Sequence, residues 1–450
     1  MGVSATATPT APERHRSSTV DQPTAVTPGY RLTTLESGVR IVTEAMPSVR
    51  SVSLGLWIGT GSRGESEAEA GMSHLLEHLL FKGSAKYSSL EIDQIFDGMG
   101  AELNASTGKE TTSVYARVID EHLPTAFDVM ADMVFRPSLD DIDSERAVIL
   151  EEIAMYEDDP QEKVFDVLGE AVFGAHPLGR PIVGRAEVIS QAPAEEIARF
   201  HAGRYAPSNV VIAASGAVDH DALVELAAQR LGELCDRSAP VPAPADCSES
   251  GRIRFEHKDT EQVHVCIGGP AISRHDDRRF ALRVLDTIFG GTSSSRLFQE
   301  VRERRGLAYS VYSFTGQFAD CGQIGLYVGT RGDNIGEAVA VIGGELDRLR
   351  TDPASPEELT RAKENLKGRV LLSLESTGAR MSRLGAEFLA GVVPLELDEL
   401  EARIEAVTVD DLVQLADELW NPARLSVAGI GPDESRFTAA VEGLHGACAA

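Results

Sequence analysis

Apolar residues fall at every second position in SVSLGLWIGTGSR, from Ser51, and again in VHVCIGGPAISR, from Val263. That period predicts strands with one buried face, each running into a turn. VVIAASGAV, from Val210, is continuously apolar and reads as a fully buried strand. HLPTAFDVMADMVF and GDNIGEAVAVIGGELDRL instead follow the 3.6-residue period of helices.

The elements recur in one order. Each alternating run is followed by a helical segment, a glycine loop and a Ser-Val-Tyr strand, TTSVYARV from Thr111 in the first half and AYSVYSF from Ala308 in the second. This predicts an α+β fold of two homologous domains of similar topology, each an antiparallel-rich sheet packed with helices. Between Leu234 and Gly251 the alternating prolines of CDRSAPVPAPADCSESG predict an extended, poorly packed linker. The expected division is a disordered extension over 1–29, a first domain over 30–235, a Pro-rich linker over 236–251 and a second domain over 252–450.

Composition narrows the function. The chain has 450 residues and a formal net charge of -28, so most of its surface repels phosphate and a nucleic-acid partner is excluded. The apolar stretches are far shorter than a membrane span, so no membrane partner is expected. Its 5 cysteines show no CxxC spacing, which fits a reducing compartment. The first 30 residues, rich in Ala, Thr, Ser and Pro, lack the apolar core of a secretory signal. The expected location is the cytoplasm.

GMSHLLEHLLFKG, residues 71–83, sets two histidines and a glutamate within a leucine-rich segment. Ser73 as cap and Gly83 as stop predict a short helix over 74–82, with Leu75, Leu76, Leu79 and Leu80 buried. His74 and His78 then lie one turn apart on one face, with Glu77 beside them. Two imidazoles at that spacing can hold one metal ion, and zinc lowers the pKa of a bound water to about 7. The alternative is histidines that border a core and hydrogen-bond to backbone groups, which suits a single histidine better. The full HxxEH pattern is rare by chance in a chain with 11 histidines and favours the metal. A catalytic zinc needs a third protein ligand, and ERAVILEEIAMYEDDPQ, from Glu145, offers candidates. Glu145 and Glu152, two helical turns apart, share a face near Val148 and Ile149, whereas Glu151 points elsewhere.

HLLEH, followed by Glu152 within ERAVILEEI, resembles the inverzincin metallopeptidases of the pitrilysin, insulinase and mitochondrial processing peptidase family. LNAST at 103–107, HPLGRPIVG at 176–184 and FGGTSSSRLFQEVRERRGLAYSVYS at 289–313 extend the resemblance. It looks most like the bacterial processing-peptidase-like branch. The departure is at Phe289 and Thr292, where many relatives carry a leucine and a third glycine. The resemblance implies that His74, His78 and Glu152 bind one zinc ion per chain, and that Glu77 is the general base and then the proton donor. Glu145 would orient the site. Asn104 and Ala105 would hold substrate backbone by strand addition, and Arg302 and Tyr309 would contact the substrate carbonyl and its oxyanion. The implied protein is a zinc endopeptidase cutting unfolded peptides or leader segments inside a clamshell. Its partner would be an identical chain or a related subunit, which would supply the Arg302 and Tyr309 pair. The alternative is a noncatalytic subunit that keeps the fold.

Overall fold

The structure, a computed structural model, describes residues 29–235, 238–246 and 251–446. The expected extension lies, apart from Gly29, outside the described residues, as do Cys247 and Cys448.

Six strands form the first sheet: β1 (Arg31–Thr34), β2 (Arg40–Ala45), β3 (Ser51–Ile58), β4 (Glu102–Thr107), β5 (Thr112–Ile119) and β6 (Val210–Gly216). Their spatial order is β1-β2-β6-β3-β5-β4. The second sheet has β7 (Ile253–His257), β8 (Gln262–Ala271), β9 (Ala308–Gln317), β10 (Gly322–Arg331) and β11 (Ser426–Gly431), in the order β7-β11-β8-β10-β9. Only β2 with β6 and β7 with β11 pair in parallel; the other pairs are antiparallel. Apart from the additional β1, the two orders superpose.

The repeat read from Ser-Val-Tyr is out of step by one strand. TTSVYARV forms β5, one strand in from the sheet edge, whereas AYSVYSF opens β9, the edge strand equivalent to β4. Period-2 patterns look alike on neighbouring strands, so the motif alone cannot tell an inner strand from an edge. ELNAST, the true counterpart, alternates exposed and half-buried positions and carries little apolar bulk to announce itself.

The helices of the first half include α1 (Met72–Leu80), α2 (Ser89–Met99), α3 (Leu123–Phe135), α4 (Ile142–Asp158) and α5 (Pro160–Phe173), of which α1, α4 and α5 supply residues to the site. On β3, Val52, Leu54, Leu56 and Ile58 face a core shared with Leu75, Leu76, Leu79, Leu80 and Phe127. Full burial of each such side chain contributes about 1.5–3 kcal/mol.

The halves are not self-contained. The other face of the first sheet, with Val42, Val211 and Ala213, is covered by Met381 and Leu384 of helix Thr377–Leu389 from the second half. In return α5 lays Val164, Val167, Leu168 and Val172 against Cys266, Tyr327, Ala428 and Ile430 of the second sheet. Glycines permit the first approach: a Cβ at Gly385 would stand 2.2 Å from Trp57 Nε1, and one at Gly55 2.6 Å from Met381 Sδ. The linker is likewise better held than its prolines suggest. Its Ala243 carbonyl accepts from Arg63 Nη2 at 3.0 Å, and its Ala245 amide donates to Asp320 Oδ2 at 2.8 Å.

Candidate metal centre and substrate cleft

α1 begins at Met72, two residues before the expected start. Gly71 is its N-cap, at φ 99, a left-handed conformation natural to glycine. Ser73 therefore lies inside the helix and caps nothing. The capping group is Glu65, whose buried carboxylate accepts from Gly71 N at 2.8 Å and Ser73 N at 2.7 Å. Its negative charge also complements the positive end of the helix dipole. Arg180, from the HPLGR stretch, donates in turn to the Glu65 carbonyl. Gly83 stands beyond the helix, which closes at Phe81.

Glu65→Ala would strand two buried amides and is expected to destabilise the fold by about 2–3 kcal/mol. Thermal denaturation measures this, and Glu65→Gln, which keeps one acceptor oxygen, should cost less.

One turn apart on α1, the rings of His74 and His78 lie 4.7 Å apart. From α4, Glu152 Oε2 stands 3.5 Å from His74 Nε2 and 3.5 Å from His78 Nε2. All three ligand atoms fall within 4.8 Å of one another. Bonds of about 2.1 Å to a tetrahedral zinc put its ligands about 3.4 Å apart, so this donor set fits the ion. Burial, then the neighbouring His78, pulls the His74 pKa down to about 4, leaving a neutral imidazole with a lone pair to offer.

Glu77 points to the same place without joining the ligand set. Its Oε2 is buried with no hydrogen-bond partner among the described residues. Burial raises its pKa, while Thr107 and His78 oppose that rise. A carboxylate so placed, with one oxygen unengaged beside the ligand set, can accept a proton there. Glu145, buried on the Glu152 face of α4, puts Oε2 3.3 Å from His78 Nδ1 and Oε1 2.8 Å from Lys82 Nζ. Such a carboxylate fixes the ring that it holds. Ile149 is buried beside it, but Val148 is 48% exposed, contrary to its expected packing, because it lies on the solvent side of α4. Glu151 is exposed, as expected.

A cleft of about 360 Å³ opens beside this group, lined by His74, Glu77, Ala105, Lys109, Glu152 and Phe165 among others. Ala105 belongs to β4, which pairs on one side only, with β5. The preceding Asn104 turns its carboxamide oxygen back onto the Ala105 amide at 2.8 Å. From α5, Glu162, Phe165 and Asp166 complete one wall. Sequence reading passed over Glu65, Thr107, Lys109 and this α5 wall; the Asp159-Pro160 cap and the Glu162/Asp166 spacing were the available signals for α5.

Arg302 and Tyr309 come together, and neither of them lines this cleft. Tyr309 is the extra residue of a β-bulge between β9 and β10, which throws its ring outward to 77% exposure. Arg302 lies on the π-helical turn Phe298–Glu303, with its guanidinium 4.4 Å from the Tyr309 ring centroid and Nη1 3.0 Å from the Tyr309 carbonyl.

The fold and donor set define a two-sheet α+β protein with a His-His-Glu group able to hold a metal ion. Residues 40–186 match the family described as insulinase (peptidase family M16), and residues 191–366 match the peptidase M16 inactive domain. An uncharacterized zinc protease of Streptomyces coelicolor is 44% identical over 411 residues, 89% of each chain. One from Mycobacterium tuberculosis is 41% identical over 427 residues, 94% of this chain and 97% of the relative. The chain belongs to the M16 peptidase family. Among solved structures, a Helicobacter pylori protease superposes with a TM-score of 0.85 at 22% identity, covering 90% of this chain and 100% of the other. A Pseudomonas fluorescens peptidase M16 inactive domain superposes with a TM-score of 0.83 at 22% identity, covering 90% and 98%. Among the described residues, no helix is long and apolar enough to cross a membrane.

Proposed function

We propose that this chain is a zinc-dependent endopeptidase that cuts unfolded peptides or leader segments in the cytoplasm, working as a dimer that encloses its substrate. The observation that carries this reading is the convergence of His74, His78 and Glu152 on one point, with Glu77 beside them presenting a buried carboxylate oxygen, Oε2, that no side chain or amide among the described residues engages. Zinc, when bound by these three side chains, supplies a Lewis acid and an acidified water. Glu77 takes a proton from the attacking water and returns it to the leaving amine. Glu145 and Lys82 hold His78 in place. The free edge of β4 at Asn104 and Ala105 receives the substrate backbone as an added strand. Arg302 and Tyr309 donate to the developing oxyanion from the partner subunit, a role supported by the outward-facing Tyr309 ring and by the absence of both residues from the lining of the chain's own cleft. A noncatalytic role, suggested by the inactive-domain relative, would call for a lost ligand or base, and none is lost here.

The purified protein is expected to hold about one zinc per chain and to cleave an unstructured peptide until a chelator removes the metal. Zinc-loaded protein without cleavage would favour the noncatalytic role. Mixing Glu77→Gln with Tyr309→Phe chains tests the dimer. Random assortment leaves one intact site in half of the dimers, so activity should recover to about a quarter of wild type. No recovery would show that each chain completes its own site.

A further inference from the structure

The turn joining β4 to β5 faces two ways. On its inner side Thr107 and Lys109 line the cleft, and Thr107 stands against Glu77. On its outer side Glu110 enters a charge network assembled largely by the second half. Arg63 Nη1 lies 2.7 Å from Glu110 Oε1, and Arg63 Nη2 lies 2.6 Å from Asp320 Oδ2. Arg274 pairs with the other Glu110 oxygen, and the Ala319 amide donates to Oε1 at 3.1 Å.

This network is not a solvated surface pair. The Arg63 side chain is 3% exposed and that of Glu110 14%, so removing one charge leaves its partners uncompensated in a poorly hydrated place. Arg63 and Arg274 repel each other; Asp320 offsets that repulsion, and Glu110 pairs with both arginines and so ties them to the turn. The turn is also fixed through its backbone, with Ser62 N donating to Gly108 O at 3.2 Å and Arg63 N to Lys109 O at 2.7 Å. A Cβ at Gly61 would come 2.3 Å from Gly108 O, so the loop and the turn touch with no slack.

We infer that Glu110 is a positioning residue: by tying the β4–β5 turn to Arg63 and to Arg274 of the second half, it sets where the β4 edge and Thr107 stand relative to Glu77. The inference rests on the peptidase reading, and the two fail differently. A zinc-loaded wild type that cuts no peptide sinks the peptidase reading. With an active wild type, Glu110→Gln is expected to keep its zinc, raise KM for a fluorogenic peptide ~10-fold and lower kcat/KM ~100-fold, the scale of a small misplacement of reacting groups. Arg274→Gln should act in the same way. The double variant should lose little beyond either single one, because both cut the same connection. Glu110→Asp should restore part of the KM. A purely structural role would lower the folded, zinc-loaded fraction but leave the KM of the remaining molecules alone. A KM within about twofold of wild type per zinc-loaded chain therefore overturns the assignment. Should Glu110→Gln fail to fold, Arg274→Gln carries the same KM test.

Discussion

Glu77→Gln is expected to keep about one zinc per chain while losing ~10³- to 10⁴-fold in kcat, the contribution of a well-placed acid–base group. Zinc is retained because the three converging ligand atoms belong to His74, His78 and Glu152. The amide has the shape of the carboxylate but cannot accept a proton. Burial works in the same direction, since it raises the Glu77 pKa and so makes the carboxylate a stronger base than a solvated one. Parallel zinc determination and steady-state cleavage of one peptide decide the point. A variant that retains near-normal turnover with full zinc would remove Glu77 from the base role.

What was legible in the chain followed from local geometry. His74 and His78 share a face because a helix repeats every 3.6 residues, and Glu145 and Glu152 do so for the same reason two turns apart. Both spacings hold even though the start of α1 was misplaced by two residues. Glu65 was not legible, because its partners are the backbone amides of Gly71 and Ser73, which leave no mark on residue type. Helix Thr377–Leu389 carries a readable apolar stripe, but nothing local says that it covers the first sheet rather than the second. That exchange is decided by contacts between residues more than 300 positions apart, such as Ser53 with Thr377 at 2.8 Å. The Tyr309 bulge escaped notice likewise, since a bulge is a mismatch between two strands and exists only once β9 and β10 are paired.

The α5 wall shows why the exchange bears on chemistry. Phe165, which lines the cleft, packs edge-on to Phe314 at 5.2 Å and stacks on Tyr327 at 5.7 Å, both on the second sheet. Tyr327 is fixed in turn by its hydroxyl, 2.8 Å from His264 Nδ1. One wall of the cleft is thus held by the half that carries no metal ligands. Glu110 repeats that relation at the β4–β5 turn, so the cleft meets the second half at two separate places.

Removing a ligand should have a larger structural effect than removing the base. His74→Ala and Glu152→Gln are each expected to abolish tight zinc binding and with it activity, and to reduce the thermal stability that bound metal confers on the native state. The pH dependence of the chelator-treated protein separates the two histidine properties. His74 is held at a pKa of about 4 by burial, below its ordinary value of 6.5. Between those values the unfolded chain binds a proton that the native chain does not, so stability falls as pH drops through that window and is restored above it. A shift of that size corresponds to up to on the order of 3 kcal/mol at the acid end. Urea unfolding of metal-free wild type from pH 7 to pH 4 should show this slope, and His74→Gln should flatten it. An equal slope in both proteins would mean that His74 is already solvated and protonated in the metal-free fold, and so is not held ready as a neutral ligand.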